Sequence, residues 1–173
     1  MPQDRIETLL LSADLLEEPD QTHRAKAERL AALLDERACV LTEYPADEIA
    51  AEYLRLFSIG ARQRHTVLYA GWWRDGRLQG PTCRRIETFY AQHGYRLDPA
   101  VSLPADHLSV MLRFLSILIE EDDRVSAEAF SRFLTWVNDF AGALERTSVL
   151  CSYPMAARAA ERIINTVHHD GNA

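Results

Sequence analysis

Asp106 and His107 stand side by side where the chain turns from Pro104 into a long apolar run beginning at Leu108. An aspartate beside a histidine is the residue pair of general acid–base catalysis, but that chemistry needs a positioned nucleophile within reach, and none is set by the local sequence. The same pair also suits the start of a helix, where a carboxylate accepts the unpaired backbone N–H groups and complements the dipole. The spacing puts Asp106 near the third position of a helix opened by Pro104, with His107 half-exposed beside it.

A second group of candidates lies upstream. Tyr69, Trp72 and Trp73 fall among Gly60, Gly71, Gly76 and Gly80, with Arg62, Arg64, Arg74 and Arg77 interspersed. Aromatic groups on a basic loop can stack on nucleic-acid bases, plug a gap between helices, or form the rim of a peptide-binding surface. The charge of the chain decides against the first: 26 Asp and Glu against 19 Lys and Arg leave a net charge of -7, which repels phosphate backbones and anionic membranes and favours cationic partners. The acidic run Glu120 to Asp123 is either a solvated linker or a docking surface for a basic segment.

Cys39, Cys83 and Cys151 have no metal-ligand spacing and read as three reduced thiols, and His168 with His169 has no third ligand nearby in sequence. Neither a metal site nor a cofactor is expected. A Walker loop, G-x-S-x-G, H-E-x-x-H and a glycine-rich dinucleotide turn are all missing from the sequence. A metal-assisted hydrolase built on Asp106 and His107, and a helical small-molecule-binding or regulatory domain lidded by the tryptophans, are the alternatives to a protein-binding domain. No apolar run approaches the ~20 residues that span a bilayer, and Met1 to Leu16 lacks the apolar centre of a secretory signal, so a cytoplasmic chain is expected.

The elements that must position these residues are helical. Ile6, Leu9, Leu10, Ala13 and Leu16 recur with a 3.6-residue period, and Glu18-Pro19-Asp20 ends that helix. A second helix runs from about Thr22 to Glu36, and a third starts near Pro45 with Ile49, Tyr53, Leu56 and Phe57 inward. From Ser58 to Gly80 no period survives. Pro81 opens a fourth helix that Gly94 closes, and Pro104 opens a fifth, apolar nearly all round and therefore central. Ser126 caps a sixth, with Phe130, Phe133, Leu134, Val137, Phe140 and Leu144 in register, and Pro154 to His168 forms a seventh. The expectation is an all-α, single-domain bundle of about six to seven helices over residues 1–173, with a long irregular loop before the fourth.

Taken in order, Glu52-Tyr53-x-x-Leu56-Phe57, Trp73 through Leu78-x-Gly80-Pro81-Thr82, Phe89-Tyr90-x-x-x-Gly94, and Pro104-x-Asp106-His107-Leu108 with Phe114-Leu115 resemble the TorD/DmsD/NarJ family of molybdoenzyme maturation chaperones. The similarity continues through Trp136 and Phe140 to Tyr153, over roughly residues 44–165. Between Ser58 and Gly71 the chain lacks the proline-rich stretch of that family. The resemblance implies a non-catalytic, all-helical, cytoplasmic protein, monomeric or a domain-swapped dimer. It would bind the twin-arginine signal peptide or the immature catalytic subunit of a molybdopterin-containing oxidoreductase, assisting cofactor insertion and delaying export. Asp106 and His107 match the family signature, and Trp73, with Trp72, matches its loop aromatic. Tyr69, Phe57 and Pro104 complete the candidate client-binding set.

Overall fold

The computed structural model describes residues 2–35, 44–58 and 66–170. Among them run nine α-helices: α1 (Pro2–Leu15), α2 (His23–Leu33), α3 (Ala46–Phe57), α4 (Ala70–Asp75), α5 (Pro81–Gln92), α6 (Leu108–Glu120), α7 (Arg124–Ser131), α8 (Val137–Thr147) and α9 (Ser152–Asp170). A 3₁₀ turn, Arg132–Leu134, joins α7 to α8. The described residues contain no strand beyond one antiparallel bridge, Tyr69 with His107.

The apolar α6 is the central element, as its all-round pattern requires. Leu108, Met111, Leu112, Leu115 and Leu118 are wholly enclosed, and α1 covers α6 more extensively than any other helix does. Helix α9 closes the bundle against α1, α7 and α8, with Ala156 and Ala160 letting the backbones approach. Aromatic rings fill the space between α5, α6 and α7. Phe130 is fully enclosed, with ring centroids of Phe114, Phe89, Tyr90 and Phe133 at 4.8, 5.3, 5.7 and 5.9 Å.

The all-α, bundle-like expectation holds, and the larger number of pieces has local causes. The segment expected to be one irregular loop contains α4, closed by Gly76 in the left-handed conformation at φ 68°. The expected sixth helix is α7, the 3₁₀ turn and α8, because spacings of three and four residues keep the same side chains inward through a tighter turn. Its N-cap is Asp123 rather than Ser126, and the Asp123 carboxylate accepts from Ser126 N at 3.0 Å. One acid of the run 120–123 therefore serves the next helix. The fifth helix opens at Leu108 rather than Pro104, for reasons given below. The expectation of three reduced cysteines fails at Cys151, which is disulfide-bonded. Cys83 is free and buried, and Cys39 lies outside the described residues. Distance along the chain does not keep thiols apart once helices pack, so cysteine usage no longer argues for a reducing compartment.

Candidate functional site

The geometry around Asp106 and His107 is set by two stretches of chain that meet in extended conformation. Leu108 N donates to Leu68 O at 2.8 Å and Ala70 N donates to Asp106 O at 3.0 Å, which fixes Tyr69 opposite His107. The chain then turns into α4 on one side and α6 on the other, so two helix starts sit back to back. Pairing with residues 68–70 keeps 105–107 extended, and that is why Pro104 does not open the helix.

Asp106 caps a helix, but a different one from that expected. Its Oδ2 accepts from Gly71 N at 2.9 Å, satisfying a backbone donor in the first turn of α4, a helix whose own N-cap, Tyr69, supplies no side-chain acceptor. Gly71 makes this approach possible: a Cβ there would lie 2.9 Å from Oδ2 and 3.0 Å from Arg77 O. Asp106 is 1% exposed, and its second oxygen has no hydrogen-bond partner in the protein. Cys83 lies beside it, its thiol pushed up to about 12 by burial first and then by the Asp106 charge.

His107 is the N-cap of α6. Its Nδ1 accepts from Ser109 N at 3.2 Å and meets Ser109 Oγ at 2.7 Å, which assigns the ring proton to Nε2. Far from half-exposed, it is 2% exposed, and burial brings its pKa down to about 4. The Tyr69 ring packs edge-on against it at 5.2 Å. Burial and the Asp106 charge together raise the Tyr69 hydroxyl pKa.

The tryptophans divide. Trp73 Nε1 donates to Val67 O at 2.7 Å, and its ring stacks on Trp136 at 5.6 Å and 20°. Trp72, Tyr69 and Pro104 are half-buried on the same side of the molecule's chain crossing. The far end of α4 is locked as firmly. Asp75 accepts from Thr82 N at 2.8 Å and Thr82 Oγ1 at 2.9 Å, capping α5, and a Cβ on Gly80 would fall 2.5 Å from the Asp75 carboxylate. Arg74 reaches Arg132 O and Thr135 Oγ1. Phe57 belongs to the core instead, against Tyr53, Phe140 and Tyr153, and is not brought to this crossing.

Chemically, the pair is not arranged for proton transfer. Asp106 Oδ2 holds a backbone amide and His107 Nδ1 holds a helix start, so neither polarises the other. Among the described residues no three of His, Cys, Asp and Glu converge on a metal-sized point. Gly71, Cys83 and Trp136 are the participants that sequence spacing did not single out. A glycine directly before two tryptophans was the readable sign for the first, and the other two carry no local sign.

This geometry predicts how Asp106 variants behave. Asp106→Asn keeps an oxygen for Gly71 N and is expected to unfold in urea within about 1 kcal/mol of the parent. Asp106→Ala leaves that amide buried without a partner and is expected to lose about 1 to 3 kcal/mol. Equal losses in the two variants would refute the capping role.

The description of the nitrate reductase delta subunit family matches residues 6–144. The chain belongs to that family. It is similar to the chaperone protein TorD of Vibrio vulnificus, 33% identical over 109 residues, covering 54% of this chain and 50% of that protein. TorD of Vibrio cholerae is 29% identical over 136 residues, covering 70% of this chain and 61% of that one. The chain thus spans about half the length of the first of these TorD/NarJ-type relatives. A solved structure described as a redox enzyme maturation protein from Archaeoglobus fulgidus superposes with a TM-score of 0.67 over 92% of this chain and 93% of that one at 24% identity, which shows a shared fold. The relatives carry chaperone names, in line with a site that holds rather than reacts. No helix among the described residues is long and apolar enough to cross a membrane.

Proposed function

We propose that this chain is a cytoplasmic maturation chaperone for a molybdopterin-containing oxidoreductase. It binds the twin-arginine signal peptide or the immature catalytic subunit of its client, assists cofactor insertion and delays export. The observation that carries this reading is the family match over residues 6–144. The site adds physical support. Tyr69, Trp72, Trp73 and Pro104 form an aromatic rim on a short helix held at both ends, so little ordering entropy is lost when a peptide docks. Asp106 and His107 act from beneath as positioning residues, through Gly71 N and Ser109 N. Phe57 contributes by packing the core beneath α3.

A peptide with two adjacent arginines suits an acidic protein, because guanidinium–carboxylate bonds fix register and speed encounter. Calorimetry with the client signal peptide should give affinity that falls roughly ten- to a hundredfold when both arginines become glutamine, from the loss of charge-assisted bonds. Equal affinity for the two peptides would remove charge recognition from the proposal. Protein that exists as monomer or as swapped dimer would be measured in each state, since exchange of a helix between chains leaves the site composition unchanged.

A further inference from the structure

A second concave surface lies away from the tryptophans, on the face of α6 that α1 leaves uncovered. Val110, Phe114 and Ile117 recur there at i, i+4 and i+7, and the segment from Tyr95 to Leu103 passes over them, leaving a cleft of about 520 Å³. Leu97, Val101 and Leu103 form its outer wall, and Val101 stands 44% exposed. Tyr90, at the floor, is anchored by its hydroxyl to Ala105 O at 2.9 Å, so the cleft borders the 104–107 segment of the site already described. It is a volume that takes a few apolar side chains.

Its rim is acidic on balance. Glu17 lines it, and Glu121 accepts from the Tyr95 hydroxyl, with Glu120 next in chain. The two bases at the cleft are Arg96 and Arg113. The Arg113 guanidinium is already held by Asp14 at 2.6 Å and Glu17 at 2.9 Å, so its charge is compensated. Glu120 and Glu121 are exposed, and no cation is bonded to either among the described residues. An apolar trough bordered by such carboxylates matches a segment that is cationic at one end and apolar along the rest.

We propose that this cleft seats the apolar stretch of the client signal peptide while Glu120 and Glu121 meet its arginines, an inference that rests on the chaperone reading above. The occupant is a peptide rather than a small molecule because the trough is open and its charges lie outside the apolar floor, where only a longer ligand spans both.

The test uses the full chain, isotope-labelled, titrated with a synthetic peptide of two adjacent arginines followed by alternating leucine and alanine, and with a second peptide in which serine replaces leucine. Amide shifts are expected in 95–103 and 110–117, with the leucine peptide preferred by at least about tenfold, the scale of burying one or two apolar side chains. Leu97→Ser with Val101→Ser, both on the outer wall, should abolish most of that preference. Glu120→Gln with Glu121→Gln should weaken the arginine peptide by about tenfold and leave its glutamine version unchanged. Shifts confined to 66–75, with parental preference in the Leu97 and Val101 variant, would overturn the cleft and leave the chaperone reading standing. No shift anywhere would overturn both. Peptide binding untouched by the wall variants, together with loss of a naphthalene probe from the cleft, would assign it to a small apolar ligand and overturn the proposal.

Discussion

Acidification from pH 7 to pH 5 should cost this fold about 4 kcal/mol through two side chains, His107 and His23, each contributing roughly 2 kcal/mol on the linkage relation. Both rings are 2% exposed. Each has a pKa lowered to about 4, by burial alone at His107 and chiefly by burial at His23, where Asp20 opposes and Lys26 reinforces the shift. In the unfolded chain both protonate near pH 6.5, so the unfolded state binds more protons than the folded one between pH 6.5 and 4. The stability they support is complete above pH 6.5 and is lost as pH falls toward 4. Urea midpoints measured at both pH values should show the drop. His107→Asn should remove about half of it, because asparagine still accepts from Ser109 N but does not titrate. A parental pH profile in that variant would show that His107 is protonated without penalty.

Phe130→Ala should be the most damaging single truncation, at about 3 to 5 kcal/mol, with melting lowered by roughly 10 °C. Phe130 is fully enclosed and touches rings from α5, α6 and the 3₁₀ turn, so the hole left by alanine is bounded by three elements that cannot all move inward. Phe130→Leu retains most of the volume and should cost under about 1.5 kcal/mol. If alanine and leucine prove equally mild by calorimetry, the aromatic cluster is not the packing centre that its geometry indicates.

What the sequence disclosed and what it concealed separate by range. Pro81, Gly94 and the apolar spacing along 108–119 act within one or two turns, and helices α5 and α6 appear where those signals put them, apart from the opening of α6. That opening depends on a partner 35 residues away, Gly71, whose amide takes the Asp106 carboxylate. Periodicity has no access to such a pairing. The same blindness placed Asp106 in its own helix and His107 at the surface. It also put Phe57 among the client-facing residues, although Phe57 faces Tyr153 from the far end of the chain. For Tyr69, Trp72, Trp73 and Pro104, clustering in sequence did translate into proximity, since all four lie within a few residues of the bridge between Tyr69 and His107.

The crossing between residues 68–71 and 106–108 also bears on the order of events in time. It joins segments 35 residues apart, and such a contact is worth making only after the intervening α5 has been laid down, because loop closure must be offset by bonds already in place. The Gly71–Asp106 bond therefore belongs to the late part of folding, where an interaction absent from the transition state leaves the folding rate alone and sets the unfolding rate. In that sense the aspartate governs the lifetime of the folded chaperone more than the speed at which it forms. A chain that must wait for its client draws its persistence from a contact of this kind.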